Sequence, residues 1–292
     1  MIMSQVATLA VVGIGLIGGS FAADLRAGGV VARVVGVGRH PATLARALEL
    51  GLIDEIVDAQ TAARTADVIL LATPVGAMQA VLAIMAPHLR PSTVLTDAGS
   101  TKIDVITAAR AALGERAGQF VPGHPIAGAH STGPDAARLG LFSGRRVILT
   151  PIAENTEASV AIVQRLWEAC GANVQRMTPD THDAVLASVS HMPHLLSAVY
   201  MAQVASADDA QVRLAHAGTG FRDFTRIAAG SPEMWRDIFL SNAGPMRTEL
   251  AAVRVLLDEM DDALARGDGH ALETLLEIAA RARNAWDASR PS

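Results

Sequence analysis

The stretch Gly13-Ile14-Gly15-Leu16-Ile17-Gly18 constrains this chain more than any other. It matches G-x-G-x-x-G in the setting that gives the pattern meaning. The β-rich run Ala7–Val12 precedes it, and a helical pattern through about Arg26 comes after it. There Gly13 allows a tight turn, Gly15 lets backbone approach a pyrophosphate, and Gly18 allows the helix to pack closely on the strand. The free N–H groups at the helix start, around Leu16 and Ile17, then face an anion. A glycine-rich turn with no ligand is the plain alternative.

The next hundred residues repeat the alternation. Apolar runs at Arg33–Val37, Asp67–Ala72 and Thr93–Thr96 are each succeeded by a helical pattern, at Pro41–Leu50, 76–89 and Lys102–Leu113. Phe120–Val121 and Val147–Leu149 read as further strands. Strands this continuously apolar belong to a parallel sheet covered on both faces. A helix at 156–169 and a short run at 173–177 extend this part. From Pro179 onward nearly every pattern is helical, with long amphipathic stretches at 181–205, 245–265 and 270–287. The expectation is an α/β Rossmann-type dinucleotide-binding domain over residues 1–178, followed by an all-α helical domain over 179–292.

Composition narrows the function. The chain has 292 residues, half of them hydrophobic and only 3% aromatic, so its core is built from Ala, Val, Leu and Ile. A net charge of −5 gives no basic footprint for nucleic acid. One cysteine, Cys170, excludes a disulfide within the chain and suits a reducing compartment. The apolar N-terminal run is preceded by no Lys or Arg and is broken by glycines, so it does not read as a leader peptide. The chain reads as a soluble, cytoplasmic protein.

The end of the second strand reads Gly38-Arg39-His40, with Thr43 close behind. An NAD site usually places Asp or Glu there to hold the ribose. Gly38 in that position removes the repulsion of a 2′-phosphate, and Arg39 can bind one. NADP is therefore favoured over NAD, although Arg39 as a solvated charge beside an NAD site stays open. Thr73 and Pro74, at the end of the next strand, are expected along the nicotinamide-side ribose.

Four later stretches gather polar groups in apolar surroundings: "DAGSTK" (97–102), "GHPIAGAH" (123–130), "SVSHMPHLL" (188–196) and "GTGFRDFTRIAAGSPEMWRDIFLSN" (218–242). Together with "VVGIGLIGGSFA", in this order, they resemble the prephenate/arogenate dehydrogenase family. That resemblance implies an oxidative decarboxylation. Hydride leaves C4 of a cyclohexadienol for the nicotinamide, the C4 hydroxyl loses its proton, and the ring carboxylate departs as CO2. By resemblance His124 is the catalytic histidine, and a neutral imidazole suits it as acceptor for the hydroxyl proton. Ser100 matches a serine that hydrogen-bonds near the same hydroxyl, and a capping role at the helix start near Lys102 is its alternative.

Arg226 matches the arginine that holds a substrate carboxylate. The flanking Phe221, Phe224 and Ile227 suggest a partly buried head, with a surface charge as the alternative. Asp223 is placed to orient Arg226, and Arg222 to reach a side-chain carboxylate. His194 and Ser190 are implied in the substrate pocket, while Met234 and Trp235 pack a helix beneath it. His191 and His194 share a helix face, but nothing nearby completes a metal site, so no metal is expected. His130 departs from the family's pattern, which often has a carboxylate there, and this bears on the choice between prephenate and arogenate. The resemblance also implies a homodimer. The rivals are a β-hydroxyacid-type dehydrogenase, which takes a lysine or other groups from the helical domain, and an NAD(P)-sensing module without chemistry. Lys102 is the chain's single lysine.

Overall fold

A computed structural model of the chain describes residues 6–128 and 132–289. By compactness the chain divides into two units, Met1–Ala243 and Gly244–Ser292.

The first unit opens with six strands: β1 (Val6–Val12), β2 (Val31–Val37), β3 (Glu55–Ile56), β4 (Val68–Leu71), β5 (Val94–Asp97) and β6 (Phe120–Val121). They form one sheet in the order β3-β2-β1-β4-β5-β6, parallel throughout. The crossovers are the helices α1 (Leu16–Ala27), α2 (Pro41–Glu49), α3 (Ala59–Thr65), α4 (Val75–Met85) and α5 (Ile103–Leu113). Side-chain alternation explains the apolar runs. Leu9 and Val11 enter one core with Phe21 and Trp167, whereas Ala10 and Val12 enter the opposite core with Met78 and Leu82. The short strand β3 and helix α3 went unread in the sequence. Two half-exposed residues carry too little apolar periodicity to announce a strand.

Contrary to expectation, Val147–Leu149 is not part of the parallel sheet. Gly123–Pro125 is itself a strand, β7. It pairs antiparallel with β8 (Arg146–Leu149), which pairs parallel with β9 (Asn173–Arg176). This second, three-stranded sheet begins only one residue, Pro122, after the first ends. Helix α6 (Glu157–Ala169), capped by the Thr156 side chain on Ser159 N, brings Trp167 against Phe21 and Phe142.

From Pro179 the described chain is helical: α7 (Pro179–Leu186), α8 (Met192–Ala205), α9 (Ala210–Ala215), α10 (Thr219–Thr225) and α11 (Pro232–Ser241). A π-helical turn, Ala187–His191, joins α7 to α8. Pro193 lies just past it and lacks the N–H an unbroken α-helix would use there. The second unit consists of α12 (Ala243–Arg266, whose first residue lies in the first unit) and α13 (Gly269–Ala288). No helix among the described residues is long and apolar enough to cross a membrane.

The closest helix–strand approach is at Gly18. A Cβ there would lie 2.3 Å from the Gly13 carbonyl oxygen and 2.7 Å from a Val11 methyl. Backbone cannot retreat from such a contact. Gly18→Val is expected to cost about 2 kcal/mol or more, read as a lowered midpoint in urea, and an unchanged midpoint would refute the packing role.

Candidate active site

At the switch point of strand order, β1 and β4 stay paired to their ends, but the helices that follow them, α1 and α4, go to opposite faces and leave a crevice beyond the C-terminal ends of the strands. Gly13 turns the chain there with φ +93°, and a Cβ would meet the Ala72 carbonyl oxygen at 2.6 Å. Nothing lies within 4 Å of a Cβ built on Gly15, so the space over the helix start is open. Helix α1 begins at Leu16 with no side-chain cap and no acidic residue in its first turn. Uncapped N–H groups beside open space suit a pyrophosphate. The Thr73 hydroxyl, at the end of β4, is buried without a hydrogen-bond partner. Gly38 directly follows β2; Arg39 and His40 are exposed beside it, and Thr43 is half-buried in the first turn of α2. Pro74 precedes α4.

The second part of the site lies beyond the C-terminal end of β5. Asp97 is fully buried. One of its carboxylate oxygens accepts Gly123 N at 2.9 Å, and the other accepts Gly99 N at 2.8 Å and the ammonium of Lys102. Lys102 Nζ also donates to the Gly123 carbonyl at 2.7 Å. The chain's only lysine is thus part of a buried ion pair. Burial pulls its pKa down, with Asp97 and Asp183 opposing.

Helix α5 begins after Lys102, and the capping role open to Ser100 is taken by another residue. Asp183, on α7, accepts Lys102 N at 2.8 Å and Ile103 N at 2.9 Å. Ser100 stays in the loop above, half-buried. The same Asp183 carboxylate accepts His182 Nδ1–H at 2.7 Å. Burial pushes Asp183 up, yet His182 and the two backbone donors outweigh it and hold the carboxyl below its usual range. His182 Nε2 in turn meets His124 Nδ1 at 2.9 Å.

His124 and His182 are both buried. Burial depresses His124 well below the usual histidine value, and His182, Lys102 and His191 push the same way. His182 is also lowered by burial, despite Asp183. His191 is pushed down to about 4, mainly by burial. Its Nδ1 accepts from Asn242 Nδ2 at 3.0 Å, and the same amide donates to the Asp183 carbonyl at 2.8 Å. His194 stacks on Trp235 with ring centroids 3.6 Å apart and donates from Nδ1 to the Ser190 carbonyl at 2.9 Å. Trp235 therefore faces a histidine as well as packing its helix.

The other expected residues are less enclosed. Arg222 and Asp223 are exposed on α10. Arg226 is exposed too, which corrects the partly buried head expected from its apolar flanks; Phe224 itself is 47% exposed. The Arg226–Ala229 turn comes after α10, which is tied to α8 by Ser197 Oγ donating to the Phe224 carbonyl at 2.9 Å. His130 lies outside the described residues. His182, Asp183, Asn242 and the pairing of Lys102 with Asp97 were missed in the sequence. The adjacent His-Asp in "TPDTHDA" was the one available signal, and only contacts about 80 residues away give it meaning.

Two family models match the chain. "Prephenate dehydrogenase, nucleotide-binding domain" covers residues 21–176 and "Prephenate dehydrogenase, dimerization domain" covers 178–278. A cyclohexadienyl dehydrogenase of Zymomonas mobilis is 36% identical over 266 residues, which span 89% of each chain. Among solved structures, prephenate dehydrogenase from Aquifex aeolicus, in complex with hydroxyphenyl propionate and NAD+, aligns with TM-score 0.88 at 31% identity over 97% of this chain and 99% of that one. Arogenate dehydrogenase from Synechocystis aligns with TM-score 0.80 at 30% identity, over 96% and 99%.

The buried charges can be tested through stability. Asp97→Ala strands Lys102 in the interior and frees two backbone donors, so it is expected to cost about 3–5 kcal/mol. Lys102→Met leaves Asp97 two donors and should cost less; equal losses in chemical denaturation would refute the asymmetry. The three depressed histidines also set a pH dependence. Below about pH 6.5 the unfolded chain binds protons that the native chain refuses, so stability falls as pH falls. Each histidine contributes a slope of up to about 1.4 kcal/mol per pH unit between its unfolded and folded values. A flat stability profile from pH 6.5 down to about pH 4, the value His191 is pushed to, would contradict the burial of neutral rings.

Proposed function

The chain belongs to the prephenate dehydrogenase family, and on that premise we propose which of its residues carry the reaction. It is an oxidoreductase of tyrosine biosynthesis that decarboxylates prephenate or arogenate while oxidising it. The observation that supports the assignment best is His124, a neutral, buried imidazole beyond the end of β5, on the side of the sheet where the dinucleotide crevice opens. Two domains are proposed, a dinucleotide-binding domain over 1–178 and a helical substrate and dimerisation domain over 179–292.

His124 accepts the proton of the substrate's C4 hydroxyl, and Ser100 hydrogen-bonds the same oxygen. A bound nicotinamide supplies the acceptor for the hydride that leaves C4. As the C4 oxygen becomes a carbonyl, the bond from the ring to its carboxylate is poised to break. Its electron pair enters the ring, CO2 departs, and the phenol oxygen takes its proton back from His124. Arg226 holds a substrate carboxylate with its planar guanidinium. His194 and Ser190 line the pocket, Asp223 orients Arg226, Arg222 reaches a side-chain carboxylate, and His130 bears on the choice between a keto-acid and an amino-acid side chain.

The dinucleotide is held by Gly13, Gly15, Leu16, Ile17 and Gly18 at the pyrophosphate, and by Thr73 and Pro74 near the nicotinamide. Gly38, Arg39, His40 and Thr43 favour NADP over NAD, because the position that would repel a 2′-phosphate has no carboxylate and a guanidinium follows it. The protein acts as a homodimer. In the single chain α12 and α13 expose Val255, Leu256, Leu257, Leu264, Leu276 and Ile278, more apolar surface than a helix pair keeps in water. The hydroxyacid rival needs a lysine or another group from the helical region, and Lys102 is engaged by Asp97 and the Gly123 carbonyl.

Purified protein crossed with prephenate and arogenate against NAD and NADP, followed by absorbance of the reduced nicotinamide, tests the assignment. Reduction with NADP preferred is expected, and none with any pair would overturn it. His124→Asn should lower kcat by about 10²–10⁴-fold with dinucleotide binding retained, which a nucleotide sensor would not show. Arg39→Ala should raise KM for NADP about tenfold, the worth of one charge-assisted hydrogen bond, and leave KM for NAD unmoved.

A further inference from the structure

We propose that His182 and Asp183 are positioning residues that hold the His124 ring with its proton on Nδ1, leaving Nε2 bare as the proton acceptor. This rests on the role proposed for His124 in the reaction. An ionised carboxylate only accepts, so the 2.7 Å contact to Asp183 requires a proton on His182 Nδ1. A neutral His182 then has a bare Nε2. The 2.9 Å contact between the rings needs one donor, and that donor must be His124 Nδ1–H. His124 is left with one lone pair, on Nε2.

The alternative is an imidazolium at His182, which would reverse the contact and protonate His124 on Nε2. The surroundings oppose it. His182 is fully buried, and burial and the Lys102 ammonium together outweigh the attraction of Asp183 and Asp97. The groups that act on His124 are His182 from α7, Lys102 from the start of α5 and His191 from the π turn, and each disfavours positive charge there. Two neutral rings in a fixed order remain.

Asp183 cannot easily swing out of this arrangement. Its two oxygens are also held by Lys102 N and Ile103 N, the first free donors of α5. The helix start therefore fixes the carboxylate, the carboxylate fixes His182, and His182 fixes His124. When the hydroxyl proton arrives at Nε2, His124 becomes an imidazolium whose Nδ1–H stays donated to His182. The Asp183 carboxylate, one ring further, carries the opposite charge and stabilises the new cation. The proton returns from Nε2 to the phenol oxygen, so nothing is consumed. The logic is that of a nucleophile or base oriented by a third group.

The test uses His182, because substituting Asp183 would also uncap α5. His182→Leu removes the acceptor for His124 Nδ1–H. It is expected to lower kcat by about 10²–10³-fold with KM for both substrates nearly unmoved. In His182→Gln the amide oxygen can take the same proton, and kcat is expected to return to within about tenfold of the native value. ¹⁵N-imidazole spectra of the full-length protein with dinucleotide bound, assigned with His124→Asn, should show His124 protonated on Nδ1 in the native and Gln proteins and shifted toward Nε2 protonation in the Leu protein. Native kcat in His182→Leu, or equal losses in both variants with an unaltered His124 tautomer, would overturn the proposal. The spectra need no turnover. Failure to oxidise prephenate or arogenate would count against the function, while the ring protonation would still decide the positioning role.

Discussion

The Asp183 carboxylate is the contact on which the rest of the chemical site depends. It accepts from two backbone N–H groups about 80 residues earlier in the chain and from the ring beside it. An N-terminal helix turn with its donors unmet would be costly in the interior, and a local Ser or Asp usually meets them. Here the acceptor comes from a different helix, so the start of α5 and the start of the helical region are fixed to each other. The Asp183 backbone takes part as well, since its carbonyl accepts the Asn242 amide that also sets the orientation of His191.

Below this contact sits the Lys102–Asp97 pair, with both side chains out of water. Such a pair gains little stability over an apolar equivalent, but breaking it costs several kcal/mol. Its consequence here is electrostatic. Burial, with the neighbouring rings and the Lys102 ammonium adding to it, keeps the His124 imidazole neutral, while Asp97 binds Gly123 N and so fixes the backbone that carries it. Charge and geometry are supplied by the same two residues. A neutral base in a dry site is what proton abstraction from a hydroxyl requires.

The dinucleotide crevice is built on another principle. Its features are backbone ones: the left-handed turn at Gly13, the bare helix start at Leu16 and the close approach at Gly18. Each demands the absence of a side chain, and an absence at fixed spacing is visible in a sequence. That is why these backbone features could be read in the sequence, whereas the histidine network could not.

By itself the sequence determined the alternating parallel sheet, its two cores, the helical second half and the dinucleotide turn, because all of these arise from local periodicity and glycine spacing. It also singled out the stretches that hold His124, Ser100, His191 and His194. Only the tertiary structure decided that His124 sits on a strand of a second sheet, that Lys102 is buried against Asp97, that Asp183 caps α5 in place of a local residue, and that Arg226 is exposed in the single chain. The physical reason is the range of the interactions. Helix and strand patterns are written within a few residues, whereas a hydrogen bond from Lys102 to Asp183 joins segments that no local pattern connects, and tautomer and charge depend on every group that closes around a ring.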